Sequence, residues 1–327
     1  MRILLIGGTR FVGRHLAEAA AARGHEVTLF HRGRTGNDVL PGAGHVLGDR
    51  DQDLSGLAHG SWDATIDACA YVPRQVGELA DVLGGRGGQL AFISSVSVYA
   101  EPIPAAGTED APLATLADPA TEVVDGTTYG GLKVLCEQAA VERFGPSTLL
   151  LRPTYVVGPH DHTRRFGYWV ERIAAGGEVL APGPRDRGIQ LIDGRDLADW
   201  TISLLEREVA GVFHAVDPEP GFGFEQLLTA VVDAVGPPGT TLAWVDNAFL
   251  TGHGVDGSDL PLWDAEDPGF GCDPARAIDS GLAPRDLALT IADTLADTTT
   301  GRWPDPAPGL TREREADLLA AWHRAGA

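Results

Sequence analysis

The sequence has few cysteines and no long apolar run, and each shortage excludes a class of protein. Its 327 residues include three cysteines, Cys69, Cys136 and Cys272. An odd number at wide spacing is a poor disulfide set, and there is no C-x-x-C for zinc. Apolar runs such as Ile3–Ile6 are far shorter than the roughly 20 residues of a membrane span. The N-terminus leads straight into that run without a secretory cleavage pattern, so we expect a reduced, cytoplasmic protein with no membrane partner.

Basic residues are also scarce. The chain has 46 Asp and Glu against 25 Lys and Arg, a formal net charge of −21. Such a chain repels nucleic acid unless it carries a local basic patch, so we expect no nucleic-acid partner. Lys133 is the only lysine in the sequence, which makes its surroundings informative.

The N-terminal residues have the pattern of a dinucleotide-binding βαβ unit. The sequence predicts a strand over 2–6, a glycine-rich turn, a helix over 14–23 and a second strand over 26–30. Glycine lets the backbone approach a pyrophosphate, and a helix N-terminus directs N–H dipoles at the phosphate charge. The predicted cofactor-binding residues of the turn are Gly7, Gly8, Thr9, Arg10, Phe11, Val12 and Gly13. Arg10 stands where the common fingerprint has glycine, and the alternative is a tight turn in some other α/β protein.

The second strand ends without a carboxylate. Proteins that bind NAD(H) usually place an acid there for the ribose hydroxyls. Here the strand runs into His31, Arg32, Gly33 and Arg34. The two guanidinium groups, with Arg10 nearby, suit a 2′-phosphate. We therefore predict NADP(H) over NAD(H), bound by Arg32 and Arg34; the alternative is that these arginines are ordinary surface charges.

Strands and helices continue to alternate along the first half of the chain. Strands are predicted over 62–68 and 89–94, with a helix over 76–83 between them. This predicts an α/β fold, a Rossmann-type doubly wound parallel sheet with ligands at the carboxyl ends of its strands. A change of composition after Gly158 indicates a smaller C-terminal substrate-binding domain. We place the dinucleotide-binding domain at 1–157, completed by about 186–215, and the substrate-binding region at 158–185 and 216–327.

A serine, a tyrosine and the lysine form a candidate catalytic set. Ser95 comes where the strand over 89–94 ends, and Tyr129 and Lys133 open a predicted helix that extends to Phe144. Positions i and i+4 share a helix face, so both side chains can point into one cleft. An ammonium beside a phenol lowers the phenol pKa from about 10, which makes tyrosine a usable acid or base near neutral pH. A serine hydroxyl can hold the substrate oxygen beside them.

The glycine turn, the Ser-x-Ser-Val-Tyr segment at 95–99 and Tyr-x-x-x-Lys, in this order, resemble the extended short-chain dehydrogenase/reductase superfamily. Within it, the chain resembles the NAD-dependent epimerase/dehydratase family. Segments at 151–159 and 190–198 resemble later motifs of that family, so the resemblance covers essentially the whole chain. It implies Ser95, Tyr129 and Lys133 as catalytic residues, Lys133 also on the cofactor ribose, Asp49 and Arg50 beside the adenine, and Pro153 beside the nicotinamide.

Two departures from the family pattern limit the chemistry. The assisting asparagine of many relatives has no candidate, because only Asn37 and Asn247 occur. Val96 and Ser97 stand where the family's sugar-nucleotide dehydratases have an Asp–Glu pair. Elimination of water needs an acid and a base, so dehydratase activity is disfavoured.

The second half of the chain offers candidate substrate-binding residues. They are Tyr155, His160, Tyr168, Arg187 and Trp263. Trp263 either lines the pocket or only anchors its loop. His160 and His162 lie two residues apart in a loop with no further ligand, so no metal site is predicted.

These observations predict an NADP(H)-dependent reductase or dehydrogenase that acts on a carbonyl or alcohol of a small polar metabolite. One alternative is a sugar-nucleotide epimerase that uses the same residues. Another is a non-enzymatic relative that associates with RNA or senses NADP(H). The family resemblance also implies a homodimer that pairs through the helix carrying Tyr129.

Overall fold

The structure, a computed structural model, describes residues 1–36, 39–101, 106–217, 223–265, 271–298 and 308–326. The strands within these ranges are β1 (Arg2–Ile6), β2 (Glu26–His31), β3 (Gly44–Leu47), β4 (Ala64–Asp67), β5 (Gln89–Ile93), β6 (Leu149–Pro153), β7 (Tyr155–Val157), β8 (Glu178–Pro182), β9 (Leu191–Asp193), β10 (Gly211–Ala215) and β11 (Thr241–Val245). The α-helices are α1 (Phe11–Ala22), α2 (Pro73–Leu83), α3 (Tyr129–Phe144), α4 (Arg165–Ala174), α5 (Gly194–Glu206), α6 (Phe224–Val235), α7 (Asn247–Gly252), α8 (Ala275–Asp279), α9 (Leu287–Thr298) and α10 (Arg312–Gly326).

A parallel sheet of seven strands carries the candidate site. Its order is β10-β6-β5-β4-β1-β2-β3, and every neighbouring pair is parallel. The chain moves outward in one direction from β1 to β3 and in the other from β4 to β10. The carboxyl ends of β1 and β4 therefore meet at the topological switch point, where ligands bind in sheets of this kind. The predicted Rossmann-type fold is confirmed.

The sheet has helices on both faces, which explains why its strands read as continuous apolar runs. Side chains alternate along a strand. In β1, Ile3 and Leu5 pack in a core cluster with α1 and α5. Leu4 and Ile6 face the other side and pack with residues of α2. Strands buried on both faces cannot show a polar alternation.

The described chain divides into two compact units. Unit 1 comprises Met1–Val156, Leu191–Pro218 and Cys272–Pro284, and unit 2 comprises Val157–Gln190, Glu219–Gly271 and Arg285–Ala327.

The structure differs from the predicted boundaries at two segments. Residues 186–190 lie in unit 2, and residues 272–284 return to unit 1. The return has a physical cause: Ala277 and Leu282 are buried in the core cluster that β10 also joins. In addition, the carbonyl of Asp273 accepts a hydrogen bond from His214 Nδ1 at 2.9 Å. No composition signal marks this return.

Unit 2 contains a short parallel pair, β8 with β11, and the helices α4, α6, α7, α9 and α10. Its last helix is fixed by a buried carboxylate. Glu315 accepts from Arg172 Nε at 2.5 Å and from the backbone N–H of Leu180 at 3.0 Å. Both charged side chains are about 95% buried. Removal of Arg172 would leave the Glu315 carboxylate with the largely exposed Arg312, at 3.4 Å, as its ion-pair partner.

Among the described residues, no helix combines the length and the apolarity that a membrane crossing requires.

Candidate active site

The glycine turn after β1 brings two backbone segments into contact. Gly7 has a φ of +88°, and a Cβ placed on it would lie 2.8 Å from Cys69 Sγ. A Cβ on Gly13, in the first turn of α1, would lie 2.1 Å from the Gly7 carbonyl oxygen. Only glycine fits this position. The first turn of α1 contains no acidic residue. The positive end of the helix dipole, beside the glycine turn, is therefore not neutralised and suits a pyrophosphate.

The end of β2 has no negative charge. His31 Nδ1 accepts the Gly33 N–H at 3.1 Å, which places the ring proton on Nε2, 2.9 Å from His45 Nδ1. Burial, followed by the effect of His45, lowers the pKa of His31. His31 therefore stays neutral at physiological pH.

Three arginines near this end are exposed. They are Arg10, Arg32 and Arg34. Within the described ranges, none of them has a carboxylate at ion-pair distance. The loop that carries Arg34 lies against the glycine turn: Thr35 Oγ1 is 3.3 Å from Thr9 Oγ1. Thr9 and Thr35, which adjoin Arg10 and Arg34 in sequence, are therefore in contact.

Lys133 is buried on α3 and its ammonium is held by two backbone carbonyls. Nζ donates to the oxygen of Ile93 at 2.8 Å and to that of Ala70 at 3.1 Å. It also lies 4.4 Å from the ring centroid of Phe92 and 5.7 Å from that of Tyr71. Burial lowers the pKa of Lys133 from its ordinary 10.5 to about 8. An ammonium has three donors, so one N–H is left for a further acceptor.

The start of α3, which carries Tyr129, packs on the turn after Ser95. Gly130 makes this possible, since a Cβ there would lie 2.1 Å from the carbonyl oxygen of Ser97. Ser95 Oγ accepts the Ser97 N–H at 3.1 Å and donates to Ser97 Oγ, also at 3.1 Å. The rings of Tyr129 and Tyr71 have centroids 6.3 Å apart. The elements that carry Ser95, Tyr129 and Lys133 thus meet at the carboxyl end of β5, and the catalytic roles of these residues stay predictions.

The side chain of Arg50 points elsewhere than toward the adenine, the contact that the family resemblance implies for it. Its side chain is buried, and both terminal nitrogens donate to Asp67, at 2.8 and 2.9 Å. Nη1 also reaches Cys69 Sγ at 3.3 Å, and Nη2 donates to the Gln75 carbonyl at 3.1 Å. The guanidinium is thus used inside unit 1 rather than offered to an adenine. Asp49, by contrast, is partly exposed.

Pro153 is buried as the last residue of β6, where it pairs with Ala215. Tyr155, two residues further on, is partly buried. Their predicted contacts with nicotinamide and substrate stay predictions.

Unit 2 places three of the predicted substrate residues in packed surroundings. Tyr168 is 8% exposed, and Arg187 and Trp263 are 3% exposed. Arg187 Nη1 donates to the Leu262 carbonyl at 2.9 Å, and Trp263 Nε1 donates to that of Gly183 at 3.0 Å. These bonds fix the side chains of Arg187 and Trp263 against their own unit, and the predicted substrate contacts of all three residues stay predictions.

His160 is more open. Its Nδ1 lies 3.3 Å from Asp297 Oδ1, and its side chain is 33% exposed. Within the described parts of the chain, no three His, Cys, Asp or Glu side chains are arranged to hold a metal ion.

Sequence reasoning missed the buried charges that support Lys133. Arg152 of β6 pairs with Glu137 through two hydrogen bonds of 2.9 and 2.7 Å. Glu137 was detectable, because it follows Lys133 by four residues on the same helix face. Asp67 and Tyr71 gave no local signal, because their roles depend on where the turn after β4 lies.

The parallel sheet and the glycine turn define an α/β protein with a Rossmann-type fold. The sequence model of the NAD dependent epimerase/dehydratase family matches residues 57–215, and this stretch belongs to that family. The resemblance drawn from the motifs is confirmed.

One curated relative is the chloroplast stem-loop binding protein of 41 kDa b from Arabidopsis thaliana. It is 28% identical over 255 residues, which cover 72% of this chain and 64% of the relative. The chain therefore spans less than two thirds of that protein's length.

Solved structures share the fold. WbmG from Bordetella bronchiseptica, in complex with NAD and UDP, is 21% identical with a TM-score of 0.68, covering 91% of this chain and 95% of that one. A putative epimerase from Burkholderia cenocepacia is 18% identical with a TM-score of 0.70, at 90% and 97% coverage. UDP-glucose 4-epimerase from Thermotoga maritima, with UDP-glucose, is 17% identical with a TM-score of 0.69, at 91% and 99% coverage.

Proposed function

We propose that the protein is an NADP(H)-dependent oxidoreductase that acts on a carbonyl or alcohol of a small polar metabolite. The observation that carries this proposal is the placement of Lys133. Its ammonium is buried at the carboxyl end of β5, one helical turn from Tyr129, and two carbonyls fix it there. A buried lysine with a lowered pKa beside a tyrosine is a feature of acid–base sites.

Three side chains take part in the proposed proton transfer: Tyr129, Lys133 and Ser95. The nicotinamide, when bound, would supply or accept the hydride at the substrate carbon. Tyr129 gives a proton to the substrate oxygen in reduction and takes it in oxidation. The Lys133 ammonium stabilises the phenolate that results. The Ser95 hydroxyl, whose present partner is the exposed Ser97, turns to hold the same oxygen.

The glycine turn fits a dinucleotide of this kind. Gly7 and Gly13 leave no space for a side chain between the turn and α1, and the helix N-terminus carries no competing carboxylate. Preference for the 2′-phosphate is supported by the exposed Arg10, Arg32 and Arg34. Residues 31–34 contain no acid that could take the ribose hydroxyls of NAD(H).

Cofactor titration tests this proposal. NADPH should bind more tightly than NADH, and Arg32→Ala should weaken NADPH binding about 10- to 100-fold while NADH binding is unchanged, because one charge-assisted hydrogen bond contributes about 1.5–3 kcal/mol. Arg23→Ala is the matched control, since Arg23 is also a surface arginine but already pairs with Glu206 at 2.7 Å. Equal affinity for the two cofactors would contradict the preference for NADP(H).

The second candidate function is sugar-nucleotide epimerisation by the same residues. It is favoured by the fold shared with solved epimerases, among them the one bound to UDP-glucose. An epimerase oxidises and re-reduces its substrate in one cycle, so it keeps its cofactor. NAD⁺ retained through purification would put this function first, whereas an exchanging cofactor would favour the reductase.

RNA association is the remaining candidate, and the name of the Arabidopsis relative is its support. The net charge of −21 opposes it. Binding of an RNA stem-loop that weakens with salt would establish it. The homodimer through α3 also stays a proposal, and light scattering decides it.

A further inference from the structure

The turn between β4 and α2 is held at both ends by one side chain. Arg50 donates two hydrogen bonds to Asp67, the last residue of β4. It donates another to the carbonyl of Gln75, in the first turn of α2, at 3.1 Å. In the middle of the turn, it reaches Cys69 Sγ at 3.3 Å. One buried guanidinium therefore fixes the start, the middle and the end of this turn.

The same turn supplies a partner of Lys133. Asp67 Oδ1 accepts the backbone N–H of Cys69 at 3.1 Å, and the next residue, Ala70, presents its carbonyl to Lys133 Nζ at 3.1 Å. The N–H of Tyr71 donates to Gln75 Oε1 at 2.8 Å, which fixes the following residue as well. A chain of contacts thus runs from Arg50 through Asp67 to the ammonium.

Charges around Lys133 are arranged in two matched pairs. Asp67 and Glu137 both act on the ammonium, and each of these carboxylates has its own buried arginine, Arg50 and Arg152. The ionisable groups that act on Lys133 or lie against it are Cys136 and Glu137 from α3, and Asp67, Cys69 and Tyr71 from β4 and the turn after it. Because both carboxylates are paired, the local charge is nearly balanced before the ammonium is counted.

We propose that Arg50 is a positioning residue for Lys133: paired with Asp67, it holds the turn that presents the Ala70 carbonyl and balances the carboxylate nearest to that turn. The role deepens the proposed function, since it assumes that Lys133 serves the reaction. It replaces the expected contact of the Arg50 guanidinium with adenine, because both terminal nitrogens are already bonded to the protein.

The sole lysine provides a direct test. In protein labelled with [13Cε]lysine, one NMR signal reports the titration of Lys133. Asp67→Asn leaves the Arg50 cation unopposed, so the titration midpoint should fall by about one pH unit or more. The double variant Asp67→Asn/Arg50→Met carries neither charge, so its midpoint should rise above that of the single variant. Because it also lacks the bonds that hold the turn, its midpoint should stay below the wild-type value.

Arg172→Met is the matched control for loss of a buried arginine. Arg172 is as buried as Arg50 and pairs with Glu315 in unit 2, so the Lys133 midpoint should not move. An unchanged midpoint in folded Asp67→Asn would overturn the proposal, and so would a double variant that stays as low as the single one. If Asp67→Asn does not fold, Arg50→Met alone should raise the midpoint, and no change there would also overturn the role.

These outcomes are separate from those of the proposed function. Turnover that survives Lys133→Met would remove the catalytic assignment, yet the titration would still report whether Arg50 and Asp67 control the ammonium. Conversely, a midpoint insensitive to Asp67 would leave the oxidoreductase proposal standing and reject only the positioning role.

Discussion

The variant Lys133→Met distinguishes two effects on stability: the free-energy cost of burying the ammonium, and the contribution of the hydrogen bonds that the ammonium makes. A fall in the lysine pKa from 10.5 to about 8 corresponds to about 3 kcal/mol, at roughly 1.4 kcal/mol for each unit. Below pH 8 the lysine is charged in both the folded and the unfolded chain, and the folded state carries the full cost. Between pH 8 and 10.5 the unfolded chain still binds the proton that the folded protein has released, so stability rises with pH.

The variant also loses two hydrogen bonds, to the carbonyls of Ala70 and Ile93, and this loss does not depend on pH. Each unsatisfied carbonyl costs about 1–3 kcal/mol, so the absolute stability of Lys133→Met at one pH is not diagnostic. The diagnostic quantity is the difference in free energy of unfolding between wild type and variant as a function of pH.

Urea denaturation at pH 7, 8, 9 and 10 measures this difference. Relative to the variant, the free energy of unfolding of the wild type should rise by about 2.5 kcal/mol between pH 7 and pH 10, which is most of the expected 3 kcal/mol. Arg172→Met is the control, because an arginine stays protonated throughout this range and its difference from wild type should be flat. A flat difference for Lys133→Met, or one that falls with pH, would refute the argument that burial controls this ammonium.

Three further outcomes follow from contacts elsewhere in unit 1. Gly13→Ala should abolish NADPH binding and lower the melting temperature, because its Cβ would lie 2.1 Å from a carbonyl oxygen of the glycine turn. In the control Gly42→Ala the Cβ meets nothing within 4 Å, so neither property should change. Arg152→Met should destabilise the fold by about 3–5 kcal/mol in urea denaturation, because it leaves the buried Glu137 charge unpaired, and a loss under 1 kcal/mol would contradict this. His214 is fully buried, and burial lowers its pKa. As the pH drops below about 6.5 only the unfolded chain gains the proton, so stability should fall, and His214→Gln should flatten this fall in a plot of melting temperature against pH.

The elements that the sequence predicts well are those with a strong local pattern. The helix predicted from Tyr129 to Phe144 has these bounds in the structure. β3 was missed because its four residues lie at the sheet edge and are mostly exposed. β11 was missed because its residues are only half-buried and pair with a strand over 60 positions earlier. Neither strand has the buried apolar run by which the central strands were found.

The candidate site shows the same limit at the level of side chains. Local spacing along a strand end and a helix is enough to propose Ser95, Tyr129 and Lys133 as a set, and their roles stay predictions. The direction of a long side chain does not follow from spacing. Arg50 was expected to face the cofactor, yet its guanidinium turns inward to Asp67, a residue 17 positions away. The packing of Arg187 and Trp263 likewise depends on contacts distant in sequence, which spacing does not predict.

The arginines of unit 1 illustrate why the cofactor can be tested before the substrate is known. Arg50 and Arg152 are buried, and their carboxylate partners neutralise them, so they act on the folded protein. Arg10, Arg32 and Arg34 are exposed and, within the described residues, have no carboxylate at ion-pair distance, so a bound anion can change their surroundings. A 2′-phosphate is the one group that distinguishes NADPH from NADH. The ratio of the two affinities therefore tests the proposed role of these three side chains, and the substrate need not be known.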